Sequence, residues 1–290
     1  MRKITCKNGQ AYLEFGNTYS PFVLLNVEGI YSVNFSVNTT ENSMSDGATF
    51  IGSNAQLRNI ILTIGDKENH GVNRRKLYEV FKPRQKSTFI YEEEDGDFKE
   101  KRVIEYYTES INNNGYGKGH RVTTISLICP EPMFSDNFDT NIAMTSWINK
   151  FEFMHEFKSE EFATKKKEKL VVIDNLSTVE NIGMEISIKA EGEASNPKVY
   201  HVESDEYIQV GTTSKPLNMV YGDELIISTL KDNKNVWLIH DGVKTNVNEY
   251  IDEASNYIQL QSGSNTIRYF AENEDNLLVS IKFRQKYLGV

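Results

Sequence analysis

The sequence VEGIYSVNFSVNTTENSMSDGATFIGSNAQLRNIILTI, residues 27–64, holds two strand patterns separated by a polar segment. In the first pattern every second residue from Tyr31 to Val37 is apolar, which is the period of a half-buried strand. The second pattern runs from Arg58 to Ile64 and alternates in the same way. These patterns predict two strands, and they indicate β-structure as the basis of the fold.

The polar segment between the two strands, Thr39 to Gly52, is long for a loop in a compact domain. It contains the turn pair Asp46-Gly47 and few large apolar residues, of which Met44, Phe50 and Ile51 are the largest. Ordering such a loop costs about 1–2 kcal/mol per residue of backbone freedom, which three side chains cannot supply. We therefore expect the loop to be mobile in an isolated subunit and to become ordered against a neighbour.

The clearest helix pattern of the first half runs from Asn73 to Pro83. Asn73 is a good capping residue, Leu77 and Phe81 share a face, and Pro83 ends the helix. The predicted first turn is basic, with cations at the positive end of the helix dipole, where each is disfavoured by about 0.3–1 kcal/mol. Either solvent covers these side chains or an acidic neighbouring subunit meets them; they are Arg74, Arg75 and Lys76.

Composition and charge exclude several classes of protein. The 290 residues are 39% hydrophobic and carry a net charge of −9, which argues against a protein that mainly grips phosphate backbones. Cys6 and Cys129 are too few and too far apart for a disulfide framework. No apolar run approaches the length of a membrane span. We expect a globular chain that is made and folded in the cytoplasm.

The second half reads as short strands separated by turns. Alternation is clear from Met184 to Ala190, and Gly222-Asp223 opens another apolar run at Glu224 to Thr229. Strands at this spacing predict an antiparallel β-sandwich. The prolines at Pro130 and Pro132 mark the end of the first domain, so the predicted division is 1–135, a connecting segment 136–175, and a second domain 176–290. Within the connection, the lysine-rich run 158–169 has the composition of an exposed linker.

Several short motifs, taken in order, resemble one family. The chain is similar to the distal tail proteins of long-tailed phages that infect Gram-positive bacteria. The resemblance rests on VEG at 27–29, DGATFIG at 46–52 and the Arg58–Ile64 strand, and in the second half on Asn196-Pro197, GDELIIST at 222–229, LxxGxNxI at 260–267 and YLGV at 287–290.

The resemblance implies a mainly β fold with an N-terminal β-sandwich or split barrel, one short helix, and a C-terminal galectin-like antiparallel sandwich. It also implies a structural protein of the virion tail tip, without enzymatic activity, that closes into a ring of six copies and joins the tail tube to the host-recognition apparatus. The implied partners are other copies of the chain, the tail tube protein, a tail-associated hub or lysin protein, and a receptor-binding protein. The residues expected at the subunit interface are Asp46, Gly47, Phe50, Ile51, Arg58, Arg74, Arg75 and Lys76.

No pattern for catalysis, a cofactor or a metal stands out. The five histidines lack the spacing of a metal site, and no nucleophile motif accompanies His240-Asp241. We therefore expect no catalytic, cofactor-binding or metal-binding residues. The acidic balance suits a channel wall past which DNA slides, because a basic wall would bind phosphate.

A second function remains open at this point. Galectin-like sandwiches elsewhere bind sugars through His, Asn, Arg and Trp on one sheet face, so the second domain could be a carbohydrate-binding module in host-surface recognition. Trp237 lies in a core-like alternation, and His201 is distant in sequence from Arg268, which favours a docking role instead. The equivalent hub of a phage-tail-like bacteriocin fits the sequence equally well.

Overall fold

The structure, a computed structural model, describes residues 2–16, 20–41, 46–66, 69–114, 121–149, 163–167 and 170–290. The chain divides into two compact units. Unit 1 comprises Met1–Asn137 together with Lys286–Val290, and unit 2 comprises Phe138–Gln285. Every strand pair among the described residues is antiparallel, which confirms the predicted mainly β fold.

Unit 1 contains eleven of the described strands and one α-helix. They are β1 (Arg2–Asn8), β2 (Ala11–Phe15), β3 (Phe22–Glu28), β4 (Phe35–Glu41), β5 (Ala48–Ala55), β6 (Arg58–Asp66), α1 (His70–Val80), β7 (Ser87–Asp95), β8 (Phe98–Asn114), β9 (Arg121–Cys129), β10 (Phe134–Asp136) and, at the far end of the sequence, β24 (Lys286–Tyr287).

The main sheet of unit 1 has the order β2-β1-β7-β8-β9-β6-β3. Its centre is β8, which at 17 residues is long enough to pair with β7 along its first half and with β9 along its second. The inward side chains of both halves join one hydrophobic core. Strand β10 adds to β8, and β24 pairs in turn with β10.

The alternation predicted for Arg58 to Ile64 is confirmed by β6, whose inward residues Ile60, Leu62 and Ile64 are all buried. The prediction for Tyr31 to Val37 is wrong in its start and in its burial. The strand begins only at Phe35, and every residue of β4 is exposed. The reason is that β4 pairs with β5 alone and not with the main sheet, so neither of its faces reaches the core.

The predicted helix exists, but it begins earlier than the capping pattern indicated. It starts at His70 and not after Asn73, which lies buried inside the helix. The side-chain amide of Asn73 donates a hydrogen bond of 2.5 Å to the Asp66 carboxylate, which also contacts the His70 ring at 2.8 Å. Asp66, at the end of β6, therefore fixes the start of α1. Leu77 is buried as predicted.

Unit 2 contains the remaining strands. They are β11 (Thr140–Ala143), β12 (Thr145–Asn149), β13 (Ala163–Lys167), β14 (Leu170–Asn175), β15 (Met184–Ala190), β16 (Ala194–His201), β17 (Glu206–Gln209), β18 (Asn218–Met219), β19 (Glu224–Leu230), β20 (Asn233–His240), β21 (Val243–Asn246), β22 (Gly263–Glu272) and β23 (Leu277–Phe283).

Two sheets of unit 2 enclose a second core. One has the order β11-β23-β15-β19-β20-β21, and the other has the order β14-β22-β16-β17, with β18 paired to β16. Their inward residues, such as Ile186 and Ile281 from the first sheet and Val199 and Ile267 from the second, form one hydrophobic cluster. This is the antiparallel sandwich that the turn spacing predicted.

The structural units differ from the predicted domain limits at two places. Strand β14 lies inside the predicted connection 136–175, yet it belongs to the second sheet of unit 2. Lys286–Val290 belongs to unit 1, because β24 pairs with β10. Most of the lysine-rich run 158–169 lies outside the described residues, as do the aromatic residues Phe151, Phe153 and Phe157.

Candidate assembly surfaces

The segment that was predicted as a long loop forms most of a two-stranded ribbon. Strands β4 and β5 pair with each other and with no other described strand, and we call this ribbon the arm. At its far end Gly47 adopts a φ of 96°, a conformation that favours glycine. At its base, the amide of Gln56 donates a hydrogen bond of 2.8 Å to the carbonyl of Asn34. The prediction missed β5 because the Asp46-Gly47 turn pair was placed inside a loop.

The two faces of the arm differ in chemistry. Paired residues of an antiparallel ribbon point to the same side. One face carries only polar side chains and one glycine, which come from the pairs Ser36–Asn54, Asn38–Gly52 and Thr40–Thr49. The opposite face, which we call the apolar face, carries Phe35, Val37, Phe50, Ala48 and Ala55 together with Ser53, Thr39 and Glu41.

A register shift places Phe50 on the apolar face. Asn38 pairs with Gly52, whereas the next residue, Thr39, pairs with Phe50, so Ile51 is an extra residue in β5. Without this bulge Ile51 would oppose Thr39 and Phe50 would point to the polar face. Phe50 and Ile51 are 63% and 66% exposed. The arm thus presents large apolar side chains to solvent.

Helix α1 carries three consecutive basic residues on the surface of unit 1. Arg74, Arg75 and Lys76 are all exposed, and none takes part in the ion pairs found among the described residues. Because α1 begins at His70, they lie in the second turn and not at the positive end of the dipole. The predicted electrostatic cost of a basic first turn therefore does not arise. What remains is a cluster of positive charge on the surface of unit 1.

A groove runs between α1 and the edge strand β2. It has a volume of about 510 Å³ and includes Tyr12, Leu13, Pro21, Lys76 and Glu79 in its lining. Strand β2 pairs only with β1 among the described strands, so its outer backbone edge faces this groove without a strand partner. Tyr12 is 61% exposed. The groove combines a strand edge, an aromatic ring and a lysine.

Arg58 is not on the surface. It is only 3% exposed, and its guanidinium donates hydrogen bonds to the carbonyls of Gly29 and Pro132, each at 2.6 Å, and to that of Leu288. It also lies 4.8 Å from the centre of the Phe134 ring. Burial without a carboxylate partner lowers the pKa of Arg58 to about 10. Arg58 joins three segments of unit 1 to one another.

The solvent-facing side of β3, β6, β9 and the second half of β8 lacks cations. Arg58 and Arg121 are the only basic residues in these strand ranges. Arg58 is buried in the core, and Arg121 is on the same side of the sheet as its register partner, the buried Asp66. The outward residues include Ser, Thr and Asn, the carboxylates Glu28 and Glu109, and exposed apolar side chains such as Val23, Leu25 and Tyr107. Glu109 accepts a hydrogen bond of 2.6 Å from Ser126. We call this the cation-free face.

Unit 2 does not bring the expected sugar-binding types together. His201 is fully buried and contacts Asn265 at 3.0 Å and Ser204 at 2.7 Å inside the sandwich. Arg268 lies on β22 of the same sheet but alternates to the solvent side, over the Phe270 ring. Trp237 lies on β20, in the other sheet. A His, Asn, Arg and Trp cluster on one face is therefore absent from the described residues.

One surface histidine of unit 2 is paired with a buried carboxylate. Within the described ranges, no three His, Cys, Asp or Glu side chains converge as they would around a metal. His240 contacts the buried Asp223 carboxylate at 2.6 Å, and this hydrogen bond raises the pKa of His240. Asp223 also accepts a hydrogen bond from the Val220 amide. This pair supports the turn at Gly222-Asp223. In the same described part of the chain, no helix is long and apolar enough to cross a membrane.

Comparison with known proteins agrees with this architecture. Residues 177–287 match the family described as siphovirus-type tail component, C-terminal domain. No curated protein matches the chain by sequence. Among solved structures, the SPP1 Dit (gp 19.1) protein, described as a paradigm of the hub adsorption apparatus in phages that infect Gram-positive bacteria, has a TM-score of 0.69 at 10% identity. That match covers 98% of this chain and 99% of the other.

Two baseplate structures are similar as well. The phage P2 baseplate in its activated conformation matches with a TM-score of 0.52 in the form with Ca and 0.51 in the form with Sr, each at 10% identity and over 100% of both chains. These comparisons confirm the resemblance to distal tail proteins that the sequence motifs indicated, and with it the fold of a phage tail and baseplate component.

Proposed function

We propose that this chain, which has the fold of the phage distal tail proteins, is a structural hub of the virion tail tip. Copies of it close into a ring, six by the family resemblance, that joins the tail tube to the host-recognition apparatus. The observation that carries the proposal is the arm, a ribbon with one apolar face that none of the described residues of its own unit covers. The fold comparisons support a tail component but do not themselves establish the ring.

An uncovered arm needs a partner for energetic reasons. A two-stranded ribbon is marginally stable in water, since it has no core and about 1–2 kcal/mol of backbone freedom is lost for each ordered residue. Burying a side chain of the size of Phe50 or Val37 recovers about 1.5–3 kcal/mol. A neighbour that covers the apolar face therefore stabilises the arm. Repeated from copy to copy, one such contact closes a ring without leftover surfaces.

The cation-free face supports a role at a DNA channel. A wall that carries Lys or Arg would bind the phosphate backbone and slow its passage. Strands β3, β6, β9 and the second half of β8 instead offer a broad surface of neutral polar and apolar side chains with two carboxylates. When the cation-free face lines the central channel of the ring, DNA passes without binding to the channel wall.

The partners follow from this position. Unit 1 contacts other copies, the tail tube protein and a tail-associated hub or lysin protein, while unit 2 carries the receptor-binding protein. In the sequence, unit 2 is flanked by strands β10 and β24 of unit 1, which pair through Phe134–Tyr287 and Ser135–Lys286. Both of its connections are therefore hydrogen-bonded to each other at unit 1. Two connections that are hydrogen-bonded to each other suit a domain that carries a partner protein better than a single flexible linker does.

The role is mechanical and not enzymatic. Incubation of the assembled protein with host cell wall, or with a panel of glycosides, is expected to release no more sugar than a heat-inactivated control. Reproducible release that is abolished by replacing a single carboxylate would contradict a purely structural role.

Light scattering coupled to size-exclusion chromatography tests the ring. We expect a single species with a mass several times the 33.2 kDa of one chain, closed and not growing further with concentration. A protein that remains monomeric at high concentration, alone and with the tail tube protein, would contradict the proposal. A mass that rises without limit would indicate an open filament instead of a closed ring.

A further inference from the structure

We infer that unit 2 holds a binding site for a neutral saccharide, in a cavity on the solvent side of the sheet β14-β22-β16-β17. The cavity lies beside the end of β22 and the start of β16, and its volume is about 600 Å³. Sites for small ligands usually have volumes of about 300–1,000 Å³. The inference goes beyond the mechanical role proposed above and does not depend on the ring, because every residue of the site belongs to unit 2 of one copy.

A β-bulge in β16 borders the cavity. Ser195 pairs with Glu272, but Lys198, three residues later, pairs with Phe270, so β16 carries one residue more than β22 over this stretch. Asn196 lies in the bulge with a φ of 52°, a left-handed conformation that asparagine adopts more readily than most residues. Bulges often occur beside functional sites, because they redirect side chains. The Asn196-Pro197 motif of the sequence thus shapes this cavity.

Asn196 positions a carboxylate at the cavity. Its side-chain amide donates a hydrogen bond of 3.2 Å to Glu272, and its side-chain oxygen accepts one of 3.1 Å from the Leu217 amide. Gly211 packs closely against it, since a Cβ on Gly211 would lie 2.3 Å from the Asn196 side-chain oxygen. Asn196 is therefore fixed at both ends of its amide. It holds one oxygen of Glu272 and leaves the second oxygen as an acceptor for a ligand.

Phe270 gives the cavity an aromatic wall. It lies on the solvent side of β22, because its neighbour Tyr269 is buried in the core. The guanidinium of Arg268 lies 4.6 Å from the centre of the Phe270 ring, but Arg268 does not line the cavity. The cavity therefore meets the ring from another side. A sugar ring packs on an aromatic ring through its C–H groups, which are attracted by the negative face of the π-system.

Hydrogen-bonding groups of both kinds accompany the ring. Lys198 supplies donors: its ammonium lies 3.6 Å from the centre of the Tyr207 ring and takes part in none of the ion pairs among the described residues. Gln209 donates a hydrogen bond of 2.9 Å to the Gly211 carbonyl, so its side-chain oxygen is left as an acceptor. With Glu272, the cavity offers donors and acceptors together. Each sugar hydroxyl needs both, and bonds to charged groups are the stronger ones.

The charge of the lining favours an uncharged ligand. Three carboxylates line the cavity, those of Glu272, Glu274 and Asp275, against the single cation of Lys198. A phosphate or carboxylate ligand would be repelled by this excess of negative charge. A protein partner would need several large apolar anchors, whereas Phe270 is the only large apolar side chain among the described lining residues. A neutral saccharide combines C–H faces with many hydroxyls and fits this lining.

Binding is tested with the full chain on an array of immobilised oligosaccharides. The neutral members are built of glucose, galactose, rhamnose or N-acetylglucosamine, and the anionic members of uronic acids or glycerol phosphate. We expect saturable binding to a neutral member, which isothermal titration calorimetry then measures in solution. A chain that binds none of the neutral oligosaccharides, or that binds only anionic ones, overturns the inference.

Two substitutions and a matched control locate the site. Phe270→Leu keeps an apolar side chain but removes the flat ring, and it should weaken binding about fivefold or more. Glu272→Gln keeps the shape and the oxygen that Asn196 holds but removes the charge, and it should weaken binding about tenfold. The control is Trp237→Ala, which removes an aromatic ring from the other sheet and should bind like the wild type.

A thermal unfolding curve for each variant shows that a loss of binding is not a loss of the fold, because Glu272→Gln changes an exposed side chain and should unfold at the wild-type temperature. Weakened binding in Trp237→Ala, with wild-type binding in Phe270→Leu and Glu272→Gln, would place the saccharide on the other sheet and overturn the assignment.

Hydrogen exchange locates the ligand without any substitution. Adding the oligosaccharide selected on the array should slow exchange at residues 271–276, which line the cavity, and leave β20 and β21 unchanged. Slower exchange confined to β20 and β21 would contradict the site. None of these readouts depends on whether copies of the chain assemble, so a failure here is distinct from a failure of the proposed ring.

Discussion

The guanidinium of Arg58 donates a hydrogen bond to the backbone carbonyl of Leu288, which lies 230 residues later in the sequence. The same side chain bonds the carbonyls of Gly29 and Pro132. One residue at the start of β6 thus ties the last described segment of the chain to two turns of unit 1. The Lys286–Val290 segment is also held by Arg102, whose guanidinium lies 3.6 Å from the centre of the Tyr287 ring.

Replacing Arg58 by Met should destabilise unit 1 by about 3 kcal/mol or more, because three carbonyls lose their donor and each such loss costs about 1–3 kcal/mol. The free energy of unfolding in guanidinium chloride measures the effect. Arg74→Met is the matched control: its side chain is exposed, so the change should stay within about 0.5 kcal/mol. Equal losses for both variants would show that the three hydrogen bonds contribute nothing to stability.

Gly29 explains the VEG motif in physical terms. Its φ is 81°, and a Cβ at this position would lie 2.0 Å from the Asn59 backbone carbonyl oxygen. Gly9 has a φ of 59° but open space around it. An alanine in the left-handed region costs about 1–3 kcal/mol of strain, so Gly9→Ala should lose that amount and Gly29→Ala about twice as much or more. Denaturant unfolding compares the two; a Gly29→Ala loss no larger than that of Gly9→Ala would contradict the steric argument.

Much of the fold could be predicted because local pattern and burial agree. Alternation in β6 and in β15 places the correct residues in the core, and the turn pairs mark strand ends. The arm could not be predicted in the same way, since β4 also alternates yet faces solvent on both sides. Alternation in the sequence indicates that a strand has two unlike faces. It does not indicate whether the apolar face packs against the same chain or against another.

For a similar reason, the sequence indicated the exposure of some candidate interface residues and not the burial of another. Phe50 and Ile51 lie on the exposed arm, where sequence reasoning placed the interface. Arg58 sits beside the arm in sequence but is buried by contacts from Pro132 and Leu288, which no local pattern indicates. The groove was missed entirely, because β2 and α1 are separated in sequence by four strands. Long-range packing, and not residue type, creates that surface.

The two cysteine thiols should be unreactive in the native protein. Burial raises the pKa of Cys129 to about 12 and raises that of Cys6 as well. Because the thiolate is the nucleophile, Ellman's reagent at pH 8 should titrate neither thiol until denaturant is added. Rapid reaction of one thiol without denaturant would show that unit 1 opens locally around it. A protein unfolded in denaturant before the assay provides the control for full reactivity.

His240 should titrate at a higher pH than an ordinary histidine. The hydrogen bond to Asp223 raises its pKa in the folded protein above the ordinary histidine value of 6.5. A raised pKa means that the protonated form stabilises the fold; this contribution is fully present below pH 6.5 and is lost as the pH rises through the folded pKa. The NMR titration of the ring proton measures the shift. In Asp223→Asn the pKa should move back down, and an unchanged value would show that the contact does not form in solution.

The last prediction concerns the protection of the arm. No side chain of β4 or of the large apolar residues of β5 is buried in the subunit, so the backbone hydrogen bonds of the ribbon have little packing to support them. Amides of residues 35–41 and 48–55 should therefore exchange hydrogen rapidly in monomeric Phe50→Ser and in diluted wild-type subunits. In the assembled ring the same amides should exchange slowly, because the neighbouring copy excludes water from them. Strand β6 serves as the internal control, since its residues Ile60, Leu62 and Ile64 are buried in both states and should stay protected throughout. Equal protection of the arm before and after assembly would mean that the ribbon is stable alone, and the interface would then have to lie elsewhere on unit 1.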